Sequence, residues 1–124
     1  MQIEQLPNLE RDHVSRLRTA GVHSCRQLLC VGRRRERLLA LARSTELPPE
    51  TLQSIVEKAE LSQIRGVGPI ALAELLQVGV NSLAALAAQE PKRLRRRLVE
   101  VAARPPNLAV LEKWILQARR KRRR

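Results

Sequence analysis

The chain has 124 residues, long enough for one domain with a core of its own, and its single Trp with no Phe or Tyr favours helices over strands. Two cysteines exclude a disulfide framework, and the longest uncharged stretch, 75–89, is too short to cross a bilayer and is broken by Gln77, Asn81 and Ser82. Lys and Arg number 24 against 12 acidic residues, a net charge of +12 that attracts polyanions, of which nucleic acid is the commonest in a cytosol.

The first residues, MQIEQLPNLER, lack the basic-then-apolar pattern of a secretion signal, so a cytoplasmic protein is expected. A first helix is predicted over 11–20, ended by Gly21 in the C′ position. Ser24 then reads as an N-cap, with Gln27 completing a capping box for the second helix. A third helix covers 35–43, and the fourth follows Pro48-Pro49 with an apolar stripe of Leu52, Ile55, Val56 and Ala59.

The second half repeats this grammar at an offset of 58 residues: Leu6 meets Ile64, Leu17 meets Leu75, Gly21-Val22 meets Gly79-Val80, and Ser24 meets Ser82. Its helices are predicted at 69–78, after Ser82, at 91–102, and after Pro105-Pro106, the last with a stripe of Leu108, Leu111, Trp114 (or Ile115) and Ala118. Pro49, Pro69 and Pro91 all suit the first helical position, where a missing N–H is harmless. The expectation is an all-α domain of residues 1–118, built as two pseudo-repeated four-helix units, 1–60 and 61–118, with 119–124 as a basic tail that frays into a mobile arm.

The stretch IRGVGPIALAELL, 64–76, places two of the five glycines one residue apart before a helix start. Ile64, Val67 and Ile70 are expected to point inward, while Gly66 and Gly68 permit positive φ and leave room for an incoming group. The free amides and positive dipole end of the next helix face the same spot, a shelf suited to a phosphate oxygen. The same residues also make a plain interhelical turn with no ligand, and both readings stand at this level.

Charge is lopsided: residues 1–62 carry ten Lys/Arg against eight Asp/Glu, and residues 63–124 carry fourteen against four. The clusters are RRRER at 33–37, KRLRRR at 92–97 and RRKRRR at 119–124. Arg93, Arg96 and Arg97 fall on one helical face with Leu94 and Leu98 turned to the core. Such arginines neutralise a phosphate backbone without reading sequence, and with Trp114 in a core stripe no aromatic platform remains for stacking single-stranded bases. A solvated charged surface is the alternative.

His13, His23, Cys25 and Cys30 do not form a metal set: by the repeat, Cys25 matches Leu83 and Cys30 matches Ala88, both expected core positions, and no metal or cofactor is expected. With Asp12 the sole aspartate and no phosphate-binding loop of the Gly-Lys-Ser/Thr type, the chain reads as a non-enzyme.

IRGVGPIALAELL resembles the helix-hairpin-helix motif, whose Gly-apolar-Gly opens a helix. The longer pattern, LLALARSTELPPETLQSIVEKAEL with IRGVGPIALAELLQVGVNSLAALAAQEPKRL and LEKWILQA, is similar to an uncharacterised bacterial family, a domain of unknown function made of tandem units of this type. The resemblance implies a paired helix-hairpin-helix (SAM-like) fold whose hairpin amides hold DNA phosphates without reading sequence. This chain departs from the motif in its first half, where Asn8 and Glu10 stand at the glycine positions, so that hairpin is expected to be structural. Its second hairpin carries the glycines but, beyond Arg65, its helix offers no cation.

The expected function is sequence-independent binding of nucleic acid, with duplex DNA favoured over RNA. The contacts would come from Arg65, Gly66, Val67 and Gly68, from Arg93, Arg95, Arg96 and Arg97, and from Arg119, Arg120, Lys121 and Arg122. A protein-interaction adaptor presenting Ala71 and Ala73, and a structured-RNA binder, are the alternatives. Oligomeric state is not legible, and no membrane partner is expected.

Overall fold

The computed structural model describes residues 1–122. Among them the chain forms α1 (Arg11–Thr19), α2 (Cys25–Gly32), α3 (Arg35–Thr45), α4 (Pro49–Leu61), α5 (Pro69–Gln77), α6 (Leu83–Ala87), α7 (Pro91–Val101) and α8 (Leu108–Arg122), preceded by a 3-10 turn at Ile3–Gln5. The described residues contain no strand, only an isolated antiparallel bridge between Gln2 and Ser24. No helix among them is long and apolar enough to cross a membrane.

Local chemistry sets the boundaries. Ser24 Oγ accepts from the Gln27 N–H at 3.1 Å while Gln27 Oε1 accepts from the Ser24 N–H at 3.2 Å, a reciprocal cap on α2. Ser82 Oγ accepts from the Ala85 N–H at 3.0 Å and starts α6. Helices α4, α5 and α7 begin on Pro49, Pro69 and Pro91. Asn107, whose role the double proline before it obscures, caps α8 through its Oδ1 and the Val110 N–H at 3.0 Å.

Packing follows the apolar stripes. Helix α2 lies on α3 and α4, and α1 on α3; α6 and α7 lie on α8, and α5 on α7; α4 and α6 meet between the two groups. Apart from Ala102, the buried apolar side chains from Ile3 to Ala118 make one continuous cluster. Positive φ occurs at Asn8 (58°) and Gly66 (92°), which stand 58 positions apart, at Gly21 (89°) and Gly79 (86°), which do too, and at Glu46 (59°), which has no such counterpart.

Four expectations are corrected. Residues 119–122 are no frayed arm: α8 runs through Arg122, carried by Leu111, Trp114, Ile115 and Ala118 on its buried face, and its last-turn cations sit at the negative end of the helix dipole. The remaining residues of the expected tail, 123–124, lie outside the described residues. Cys30 is exposed, as is Ala88, because the short helices α2 and α6 bury one stripe only; Cys25 and Leu83 are on that stripe. Ile70 is 78% exposed, since the buried face of α5 is set by Leu72 and Leu75, and a residue two before Leu72 points away from it. Gly68 has φ −92° and ψ −173°, ordinary extended backbone, so only Gly66 of the pair uses the left-handed region.

Candidate nucleic-acid interface

The link between α4 and α5 is two successive tight turns, closed by the Ile64 N–H on the Leu61 carbonyl and the Val67 N–H on the Ile64 carbonyl, both at 3.1 Å. Ile64 and Val67 are buried beneath them, which drives Arg65 and Gly66 to the surface. Gly66 is obligatory for two reasons. Its φ of 92° disfavours any side chain, and a Cβ there would lie 2.9 Å from Trp114 Nε1. At Gly68 a Cβ would meet nothing within 4 Å. Neither strain nor crowding inside the chain explains why that position has no side chain.

Gly68 is the N-cap of α5 and supplies no side-chain acceptor, while Pro69 has no N–H. The first α5 amide held by an internal bond is that of Leu72, on the Gly68 carbonyl at 2.9 Å. The amides of Gly66, Gly68, Ile70 and Ala71 have no partner among the described residues. Free amides are general at helix starts, but their surroundings differ here. Helices α1, α3 and α4 carry Asp12, Glu36 and Glu50 in their first turns, α7 has Glu90 as its N-cap, and α2, α6 and α8 are capped by Ser24, Ser82 and Asn107, whereas α5 has neither an acidic residue in its first turn nor a side-chain cap. The sequence-predicted shelf is thus open, with one exception: Val67 is buried and its N–H is used within the turn, so it contributes neither side chain nor amide.

The cations that line the groove beside Gly66 are Arg65 and Arg120, both expected from the sequence, and Lys113, which was not. The hairpin packs against the flank of α8, where the Arg65 N–H donates to Gln117 Oε1 at 2.9 Å. Between them runs an open groove of about 620 Å³ lined by Arg65, Gly66, Val110, Lys113, Trp114, Leu116, Gln117 and Arg120. Lys113, Gln117 and Arg120 recur at the i, i+4, i+7 spacing of one helical face, next to the buried stripe. Lys113 and Arg120 of α8 thus lie along the groove that Arg65 and Gly66 also line. Lys113, Trp114 and Gln117 were not among the expected contacts; the polar stripe 113, 117, 120 was their only trace in the sequence, and it does not say what packs beside it.

The other basic residues are distributed differently. Arg97 caps the far end of α5 by donating to the Val78 carbonyl, which explains its place in the cluster structurally. That end lies roughly 13 Å from the shelf, the length of a nine-residue helix. Arg93 pairs with Glu90 at 3.4 Å, Arg95 is half-buried, and Arg96 is exposed on the outer face of α7, while Leu94 and Leu98 are buried as expected. Arg119 donates from Nε to the Ala87 carbonyl at 3.0 Å, closing the end of α6. Lys121 lies in a separate pocket beside Arg33, Glu60 and Gln63, and Arg122 is exposed at the helix end. The structure thus brings Arg65, Gly66 and Arg120 together, with Gly68 at the next turn. It sets Arg93, Arg95, Arg96 and Arg97 apart on α7, and uses Arg97 and Arg119 as caps.

The turn before α1 keeps the bend, with Glu10 and Asp12 standing where α5 has Gly68 and Ile70. Asn8 takes the positive φ, its carbonyl accepts from Lys58 Nζ at 3.5 Å, and Glu10 reaches His13 at 3.5 Å. The chain belongs to the family described as Domain of unknown function (DUF4332), which matches residues 7–121. No curated protein and no solved structure matches it.

Proposed function

We propose that this protein is a binding module, not an enzyme, that holds the phosphate backbone of nucleic acid, duplex DNA before RNA, without reading its sequence. The observation that carries the reading is the run of unpartnered amides at Gly66, Gly68, Ile70 and Ala71, of which the first, Gly66, lines a groove with Arg65, Lys113 and Arg120 and no carboxylate. Backbone donors fix an oxyanion in place and the three cations supply the attraction, the division of labour that phosphate binding at helix starts requires.

Matching backbone conformations at Asn8 and Gly66 and at Gly21 and Gly79, together with the corresponding pairings of α1 with α3 and α5 with α7, α2 with α4 and α6 with α8, and α3 with α4 and α7 with α8, support a paired helix-hairpin-helix arrangement. In that arrangement the half with Glu10 is a scaffold and the half with Gly66 and Gly68 is the binding half. The exposed arginines of α7 extend the field over a second surface.

Three phosphate-neutralising cations give a slope of log affinity against log salt of about −2.7 for duplex DNA, before any contribution from α7. Replacing Lys113 and Arg120 together with Gln is expected to flatten the measured slope by about 1.8 and to lower affinity equally for unrelated duplex sequences. An unchanged slope refutes the site. A protein partner that stays bound to the purified chain after nuclease treatment, with no duplex affinity, favours an adaptor instead.

A further inference from the structure

The groove beside the hairpin holds one donor that the shelf does not use. Trp114 is 4% exposed, and its indole N–H has no hydrogen-bond partner among the described residues. Every side-chain nitrogen or oxygen sealed from solvent among those residues is partnered, so an indole N–H without a partner must reach the surface. Trp114 lines the groove between Arg65 and Arg120, and that groove is where its N–H can open. Gly66 leaves the approach clear: a Cβ at that position would sit 2.9 Å from Nε1, on top of the donor.

The groove's other polar groups have the same character. Gln117 Oε1 accepts from the Arg65 N–H, an arrangement that commits the amide oxygen inward and leaves its NH₂ as a donor. Arg65, Lys113 and Arg120 carry only donors. Two other grooves each hold a carboxylate by contrast. One sets Glu4 beside Arg11 and Arg18, with Arg18 and Glu4 at 3.6 Å, and another sets Glu60 beside Arg33 and Lys121.

We infer that the groove between the hairpin and α8 seats a phosphate group of the bound nucleic acid, and that the Trp114 indole N–H donates to one of its oxygens. The inference deepens the nucleic-acid reading and rests on it. A tetrahedral oxyanion suits the site because donors converge on it from the hairpin and from α8, and a charged acceptor makes the strongest bond with each. Leu116, 46% exposed on the rim, offers an apolar contact to the sugar beside that phosphate.

The chain has a single Trp, so one indole N–H resonance reports the site without ambiguity. Titrating the unmodified, ¹⁵N-labelled chain with a short DNA duplex at low salt should move that resonance in step with binding followed by duplex anisotropy. Inorganic phosphate should move the same resonance in the same direction at far higher concentration. Trp114→Phe keeps an aromatic ring in the core and removes the donor, and should weaken duplex binding by about tenfold. Duplex binding that leaves the indole resonance still overturns the inference while the nucleic-acid reading survives. A resonance that responds to phosphate but not to duplex supports the oxyanion seat and removes nucleic acid as its source. Silence toward both, or a response to an acidic peptide alone, sinks both ideas.

Discussion

Replacing Gly68 with Asp separates the fold from its use. The backbone at this position is extended and a Cβ would meet nothing within 4 Å, so the substitution introduces neither strain nor a clash. Gly68 is the N-cap of α5, and the amides of Ile70 and Ala71, which an N-cap carboxylate accepts from, are free. Asp should therefore stabilise the chain: a few tenths of a kcal/mol from capping, and roughly 0.3–1 kcal/mol from the carboxylate at the positive end of the helix dipole. The same carboxylate occupies the amides that would hold a phosphate and repels it. At a separation of ~4 Å that repulsion is about 1 kcal/mol in bulk water and about 4 kcal/mol at the effective dielectric of a protein surface. The shelf is open to solvent, which places the loss near the lower figure, about 1.4 kcal/mol or tenfold in duplex affinity. Denaturant unfolding and duplex anisotropy on the same preparation test both halves. A variant that gains stability and keeps full duplex affinity refutes the argument, because the amides would then face no ligand. A neutral cap, Gly68→Asn, should fall between the two.

Gly66→Ala should behave in the opposite way, losing about 1–2 kcal/mol of stability from positive φ alone, with Trp114 forced to shift as well; an unchanged denaturation midpoint contradicts the close packing described. Glu60 is a case for pH. Burial, and then Glu57, push its carboxyl above the ordinary value, against the opposing pull of Arg33. The folded chain therefore binds this proton more tightly than the unfolded chain, and stability present below the ordinary carboxyl range is lost as pH rises through the folded value. Glu60→Gln should accordingly stabilise at neutral pH, with the advantage vanishing on acidification below about pH 4, in thermal melts across that range. An advantage that grows toward low pH contradicts the assigned direction.

Most of the helices were legible in the sequence because their ends are written in short-range chemistry. Ser24 with Gln27, Ser82, and the prolines at 49, 69 and 91 act within one turn of backbone, and tertiary context leaves them alone. Apolar periodicity likewise marked Leu52, Ile55, Val56, Ala59, Leu94 and Leu98 as core, since a helix in water has to bury that stripe somewhere. Periodicity was less decisive where a helix buries little. Cys30 and Ile70 are apolar side chains on the wrong side of short helices, and they stayed outside.

The candidate site divides along the same line. The sequence determined the bend at Gly66, the proline start and the net charge, all properties of neighbouring residues. The tertiary structure alone decided which cations lie beside the bend. Lys113 and Arg120 lie 47 and 54 positions beyond Gly66 and reach it because α8 packs its buried stripe across the core, carrying the adjacent polar face to the hairpin. It also decided that Arg97 and Arg119, indistinguishable in sequence from their neighbours, close the ends of α5 and α6. A run of arginines fixes the sign of the field, whereas the partner of each guanidinium is set by which helix end arrives within hydrogen-bonding reach, and that is a property of packing.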